Sequence, residues 1–402
     1  MKRVLKKPRS NADTRSVVDI DHLLAHAVEL GASDVHLKHG RPPVLRRDGT
    51  LDPLAGAPPL TDADLEAVLL RVTESIPHRL ATFRTEGEVD IAYQVAGLPR
   101  FRVNGFRQRG ATSFAFRVIP KHIPSFESLG LPPGVQKLAG ERRGLVLVTG
   151  ETGSGKTTTL AAMVNYINRT RKQHIVTIED PIEILHEDVD CIVNQREVGT
   201  DTDSFHEALR RALRQDPDVI LIGELRDADT AQTALHAAES GHLVLSTMHT
   251  IDASETVGRM VEFFPGVKQQ LVRSVLAGVL RGVVSQRLLP KVDSGRTAAV
   301  EVMVNNARIA DLIRENRADE IHDAIEDGSF FQMQTFTQAL IDLVVNGVID
   351  REVAGNAATN RHDFFVALER ALKTDAAEKR AAEKQAAEPA VPELRLLRPT
   401  AS

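Results

Sequence analysis

The sequence predicts an α/β protein in which a parallel-sheet core follows a smaller α+β unit. Three observations carry this. Residues 141–300 alternate near-continuous apolar strands with helices, the pattern of a mostly parallel sheet covered on both faces. Residues 16–118 instead hold short alternating strands and two helices. The run Gly150-Glu151-Thr152-Gly153-Ser154-Gly155-Lys156-Thr157 joins the first apolar strand of the core to its first helix. A chain of 402 residues has room for two domains with their own cores.

In the first unit, residues 17–30 have helical apolar spacing, which Gly31 stops. Asp34-Val35-His36-Leu37 alternates as a strand, and Arg41-Pro42-Pro43 and Asp48-Gly49 are turn signals between strands. Residues 61–72 predict a second helix with Thr61 as N-cap. Residues 89–93, 100–104 and 113–118 read as strands. A linker over 119–140 is expected from Pro120, Pro124, Pro132, Pro133 and several glycines. In the core, strands are expected at 145–149, 174–179, 219–222 and 243–247. Helices are expected near 156–169, 203–214, 228–240 and 253–263. Residues 267–372 read as mainly helical after a short strand near 300–303, and complete a second domain spanning 141–372. Two ends carry little to bury. Residues 1–15 are basic (Lys2, Arg3, Lys6, Lys7, Arg9, Arg15) and read as a disordered tail, and residues 373–402 read as frayed helix or disorder.

Composition excludes several classes. A net charge of −5 provides no global field for nucleic acid. No apolar run approaches the roughly 18 residues that span a bilayer, and no apolar stretch follows the basic N-terminus as in a signal peptide. The single cysteine, Cys191, permits neither an intrachain disulfide nor a cysteine zinc site. A cytoplasmic protein is expected.

The glycine run is a complete G-x-x-x-x-G-K-[ST] phosphate loop. A strand feeding such a loop and then a helix places backbone N–H groups and a helix N-terminus around a polyphosphate. Gly150, Glu151, Thr152, Gly153, Ser154, Gly155, Lys156, Thr157 and Thr158 are therefore the expected phosphate-binding residues. Lys156 would reach the β- and γ-phosphates and the Thr157 hydroxyl would bind Mg²⁺. The nucleotide expected is a nucleoside triphosphate.

In open parallel sheets ligands bind at the carboxyl ends of the strands, and three polar clusters lie there. Glu179-Asp180-Pro181-Ile182-Glu183 is either a carboxylate group that holds Mg²⁺ or polarises water, or an acidic turn. Asp218-Val219-Ile220-Leu221-Ile222-Gly223-Glu224 is an atypical Walker B strand in which Gly223 leaves Glu224 as the one terminal carboxylate. Such a residue orients water or binds Mg²⁺ through water. His242 and His249 bracket an apolar strand. Only His249 lies at the end where a γ-phosphate would sit, and a shared metal is not expected from their spacing.

The order of these segments, with Gly31-Ala32-Ser33-Asp34-Val35-His36-Leu37, Arg100-Phe101-Arg102-Val103-Asn104 and Val193-Asn194-Gln195-Arg196-Glu197-Val198, resembles the secretion ATPase superfamily, the hexameric motors of type II secretion and type IV pili. It is most similar to the type IV pilus retraction (twitching motility) ATPases. The resemblance spans about residues 17–350. It implies a RecA-like P-loop core preceded by a PAS-like α+β domain, with ATP and Mg²⁺ as ligands. It implies that Arg102 and Arg117 are charge-stabilising arginines on strands of the PAS-like domain. It places Glu179 in the Asp box, Glu224 in Walker B, and His242 and His249 in the His box, with His249 among the catalytic residues and His242 among those holding nucleotide. Glu179 and Glu224 join Thr157 as metal candidates. The partners implied are five further copies in a homohexamer and a pilus platform protein of the inner membrane, with only peripheral membrane contact and no nucleic acid.

Extension ATPases of this superfamily usually carry a longer N-terminal region and a four-cysteine zinc insertion after Walker B; this chain has one cysteine and no such insertion, which favours retraction. The retraction family's Ala-Ile-Arg-Asn-Leu-Ile-Arg motif corresponds here to Arg308-Ile309-Ala310-Asp311-Leu312-Ile313-Arg314. The apolar stripe is kept and the polar positions differ, which leaves an accessory retraction paralogue beside the principal motor. A pilus assembly or type II secretion ATPase is the further alternative. A GTPase is disfavoured by the lack of an Asn-Lys-x-Asp segment, and a nucleic-acid translocase by the acidic charge and 4% aromatic content.

Overall fold

The computed structural model describes residues 18–47, 49–119 and 123–387. The basic N-terminal run, Asp48, Pro120 and residues 388–402 lie outside the described residues. The chain divides into two compact units. One takes the N-terminal residues through Ile123 together with Thr177–Glu187 and Val193–Ala208. The other takes Pro124–Val176, Asp188–Ile192 and the residues from Leu209 onward.

The first unit is built on six strands: β1 (Asp34–Lys38), β2 (Val44–Arg47), β3 (Thr50–Pro53), β4 (Glu88–Gln94), β5 (Arg100–Gln108) and β6 (Ala111–Val118). They form one sheet in the order β3-β2-β1-β6-β5-β4, with antiparallel pairing throughout. Period-two alternation sends Val89, Ile91, Tyr93, Phe101, Val103, Phe114 and Phe116 to one face. There they pack with Leu23, Leu24, Leu65, Val68 and Leu69 of the helices Ile20–Glu29 and Asp62–Val72. The expected cap is present: Thr61 and Asp64 make a reciprocal capping box. The helix Pro77–Glu86 was not expected. Its N-cap, Ile76, makes no side-chain cap, and its one buried side chain, Phe83, supplies little periodic signal.

The core strands are β7 (Gly144–Thr149), β8 (His174–Glu179), β9 (Ile192–Glu197), β10 (Val219–Ile222), β11 (Leu243–Met248), β12 (Leu280–Pro290) and β13 (Arg296–Val304). The sheet order is β13-β12-β7-β11-β10-β8-β9. β12, β7, β11 and β10 run parallel, while β13 adds antiparallel to β12. The four expected strands and the helices Lys156–Thr170, Phe205–Ala212, Ala228–Glu239 and Ala253–Glu262 are all observed. β7, β10 and β11 are buried along their whole length, as strands covered on both faces must be.

Two expectations need correction. Residues 267–372 are not mainly helical around one short strand, because β12 and β13 form a long hairpin that extends the sheet. Leu280 is both the C-cap of the helix Gly266–Val279 and the first residue of β12, so no turn residue marks the change. The linker contains a helix, Pro133–Ala139, in which Pro133 occupies the first turn and Val135, Leu138 and Ala139 are buried. The helix Arg361–Ala387 runs past residue 373, as the frayed-helix expectation for the tail allowed. No helix among the described residues is long and apolar enough to cross a membrane.

Candidate functional site

β7 delivers the chain into the phosphate loop at Gly150. Gly150, Gly153 and Gly155 have φ of 139°, 82° and 94°, a region that side chains rarely adopt. A Cβ on Gly150 would also collide with the Gln286 carbonyl oxygen and the Ser154 hydroxyl. Glycine is required here both by torsion and by space. The loop ends where Lys156 opens the helix Lys156–Thr170, whose buried face includes Thr159, Leu160, Met163 and Val164. Lys156 is buried, and its Nζ donates to the carbonyl oxygens of Gly150 and Glu151 at 2.8 and 2.9 Å. Glu151, Thr152 and Gly153 are exposed, and Thr157 and Thr158 are half-buried at the start of the helix. The apolar face thus holds the helix while its N-terminus stays open to an anion.

β10 and β11 set the second part. Ser246 Oγ donates to the Ile222 carbonyl at 2.7 Å and Thr247 Oγ1 to the Gly223 carbonyl at 2.6 Å, so the segment after β10 is fixed to its neighbour. Glu224, just beyond, is mostly buried. It lies 3.5 Å from His249 Nε2 and 2.5 Å from Arg226 Nη2. The structure therefore brings Glu224 and His249 together at the carboxyl ends of adjacent parallel strands. His242 lies at the opposite end of β11, where its Nδ1 is 2.9 Å from the Ala237 carbonyl. The two histidines do not share a site. A cavity of about 560 Å³ opens beside the Glu224–His249 pair, bordered by Leu225, Arg226, Met248, Glu255 and Arg259. It contains no residue of the phosphate loop.

The remaining candidates lie in the first unit. Glu179, at the end of β8, accepts from Thr177 Oγ1 at 2.6 Å and Gln195 Nε2 at 3.0 Å. Burial raises its pKa in spite of these bonds. Glu183 is half-exposed and 3.9 Å from Arg102 Nη1. Arg102 Nη2 also donates to Asp90 at 2.8 Å. Arg117 Nε donates to Asp34 at 2.9 Å. Burial acts to raise the Asp34 pKa, but the bonds from Arg117 and Ser33 outweigh it and the net shift is downward. Register explains the grouping. Arg46, Asp34, Arg117 and Arg102 are consecutive cross-strand partners over β2, β1, β6 and β5, on the face opposite the phenylalanines. Arg226, Gln195 and the half-buried Arg100–Glu197 pair, at 2.7 Å, were not singled out from sequence. Their only signal was position inside matched stretches, which carries no geometry.

Comparison with known proteins identifies the family. Residues 10–364 match the family model described as type II/IV secretion system protein. The chain belongs to this family. It is 45% identical over 347 residues to the type IV pilus retractation ATPase PilT of Pseudomonas aeruginosa, covering 86% of this chain and 100% of that protein. It is 39% identical over 360 residues to the type IV pilus ATPase PilU of the same organism, covering 89% of this chain and 94% of that one. A crystal structure of the pilus retraction motor PilT with bound ADP aligns at a TM-score of 0.80 and 46% identity. It covers 86% of this chain and 98% of that one. The fold is thus an α/β P-loop ATPase core of the RecA-like type, and the family relation makes the chain an ATPase.

Proposed function

We propose that this chain is the subunit of a ring motor that hydrolyses ATP to retract type IV pili, working as a homohexamer on a platform protein at the cytoplasmic face of the inner membrane. The observation that carries the reading is end-to-end similarity to PilT in a chain whose phosphate loop is intact and whose Glu224 and His249 converge. Lys156 leaves the loop carbonyls to bind the β- and γ-phosphates. Glu224, held by Arg226 and His249, orients the attacking water. Arg102 and Arg117 leave their carboxylate partners to stabilise charge on the γ-phosphoryl oxygens.

Magnesium suits the oxygen donors offered by Thr157 and Glu224. No group of three or more His, Cys, Asp and Glu able to hold a metal exists among the described residues, so phosphate oxygens and water would complete the shell. When bound, the ion would neutralise charge between the β- and γ-phosphates. Glu179 suits it less well, because burial favours its neutral form.

An accessory role beside a principal motor is the second reading. It is favoured by the polar changes in the helix Ala307–Arg314, where Arg308 pairs with Asp327 at 2.9 Å and Arg314 with Asp311 at 2.6 Å. Gene deletion, with a Lys156→Ala complement, separates the readings by counting surface pili. Abundant pili with lost twitching support the principal motor. Bald cells would overturn retraction, and normal piliation with impaired motility would select the accessory role.

A further inference from the structure

The strand β12 ends beside the phosphate loop. Thr149 Oγ1, on the last residue of β7, donates to Ser285 Oγ at 2.9 Å and ties the two strands together. Gln286 follows on the other face of β12. It is 3% exposed, and its Oε1 is buried with no hydrogen-bond partner among the described residues. Its carbonyl oxygen blocks a Cβ on Gly150, and its Nε2 lies 3.9 Å from where a Cβ on Gly155 would be. Gln286 therefore packs against Gly150 at the start of the loop and lies near Gly155 at its end. Ser154, inside the loop, is 5% exposed, and its Oγ is likewise buried without a partner. A buried acceptor and a buried donor left unmade at one loop cost stability, and native chains rarely keep such groups.

The next residue, Arg287, feels the charge of Glu151 in the loop and reaches the C-terminal helices. The Arg287 guanidinium sits 4.0 Å from the ring centre of Phe336 and donates to the Ala357 carbonyl and, at 3.1 Å, to Thr359 Oγ1. Consecutive residues of one strand thus touch the phosphate loop and the helices Phe336–Val345 and Arg351–Ala357.

We propose that Gln286 is a positioning residue that reads nucleotide at the phosphate loop and passes the state to the C-terminal helices through Arg287. When a nucleoside triphosphate draws Lys156 off the loop carbonyls, the loop resettles and Ser154 Oγ–H donates to Gln286 Oε1. The end of β12 moves with it, and Arg287 carries the shift to Phe336 and residues 357–359. This rests on the ATPase reading above.

The test compares the full-length wild type with Gln286→Met, which keeps length and removes both polar atoms. Melting temperature is measured alone, with ADP, and with a non-hydrolysable ATP analogue. Amide hydrogen exchange is followed over residues 336–359. The expected result is a Gln286→Met melting temperature equal to or above wild type without nucleotide, because an unmade buried bond has been removed. Affinity for the analogue should fall about 10-fold, and the nucleotide-dependent change in exchange over 336–359 should disappear. A lower melting temperature without nucleotide, with unchanged affinity and exchange response, would make Gln286 merely structural and overturn the proposal. Ser154→Ala, a second and milder variant, should reproduce the loss of exchange response; an intact response there would also overturn it. A wild type that binds no nucleotide would overturn the ATPase reading together with this one. A wild type that binds, beside a Gln286→Met that binds and responds equally, overturns this one alone.

Discussion

Lys156 and Glu224 show how burial and pairing prepare single residues. The lysine ammonium is buried yet satisfied by two loop carbonyls, so an arriving phosphate exchanges one set of oxygens for a more highly charged one. Lys156→Ala should lower ATP turnover by roughly 100-fold or more while leaving the far-ultraviolet circular dichroism unchanged. Retained turnover would remove the loop from the chemistry. Glu224 sits between a guanidinium and an imidazole, which holds its carboxylate in one orientation. Glu224→Gln keeps the shape and removes the charge. It should reduce kcat by about 10²–10⁴-fold with nucleotide binding preserved; equal losses in binding and turnover would mark a structural role instead. Both positions could be read from sequence, since a loop motif and a strand-terminal acid need only local order. Arg226 and Gln195 could not, because nothing local says which carboxylate a polar side chain meets.

At the scale of elements, caps and alternation explain most of what formed where expected. Asp227 accepts from Thr230 N at 2.8 Å at the start of the helix Ala228–Glu239, and Asp252 accepts from Glu255 N at 2.8 Å at the start of Ala253–Glu262. Asp227→Ala should cost about 1 kcal/mol in denaturant unfolding of the full chain; no loss would show that the helix is held by packing alone. β13 adds a titratable element. Glu301 is 2% exposed, and its pKa is pushed up to about 7, chiefly by burial and further by Asp252, against the opposing bond from Ala253 N at 2.9 Å and the charge of Arg287. The unfolded carboxyl loses its proton near 4.5 and the folded one near 7. Between those values the folded state binds more protons, so this group's contribution to stability falls as pH rises and levels off above the folded value. Glu301→Gln should remove that fall, a difference on the order of 3 kcal/mol between the two ends of the window. Parallel urea titrations at about pH 5 and pH 8 check it, and identical pH slopes for the two proteins would refute it.

For the whole molecule, retraction rests on similarity along the full length of PilT and on an intact phosphate-loop motif. The ring proposed here predicts turnover that depends on assembly. Specific activity should rise with protein concentration as higher-order species appear in analytical ultracentrifugation. Constant activity in a monomer would contradict the ring motor. The sequence by itself determined the phosphate loop, the parallel core strands and the strand-rich α+β first unit, because each is written in local spacing: glycines at fixed intervals, apolar runs, period-two alternation. The tertiary structure alone decided the β12–β13 hairpin, since a run such as Leu280–Pro290 becomes strand by pairing with β7 and β13 rather than by its own propensity. It also decided which polar groups meet: Asp34 with Arg117, Glu179 with Gln195, Glu224 with His249. Those contacts join residues distant in sequence or facing across strands, and their energies exist only once the chain has closed the distance.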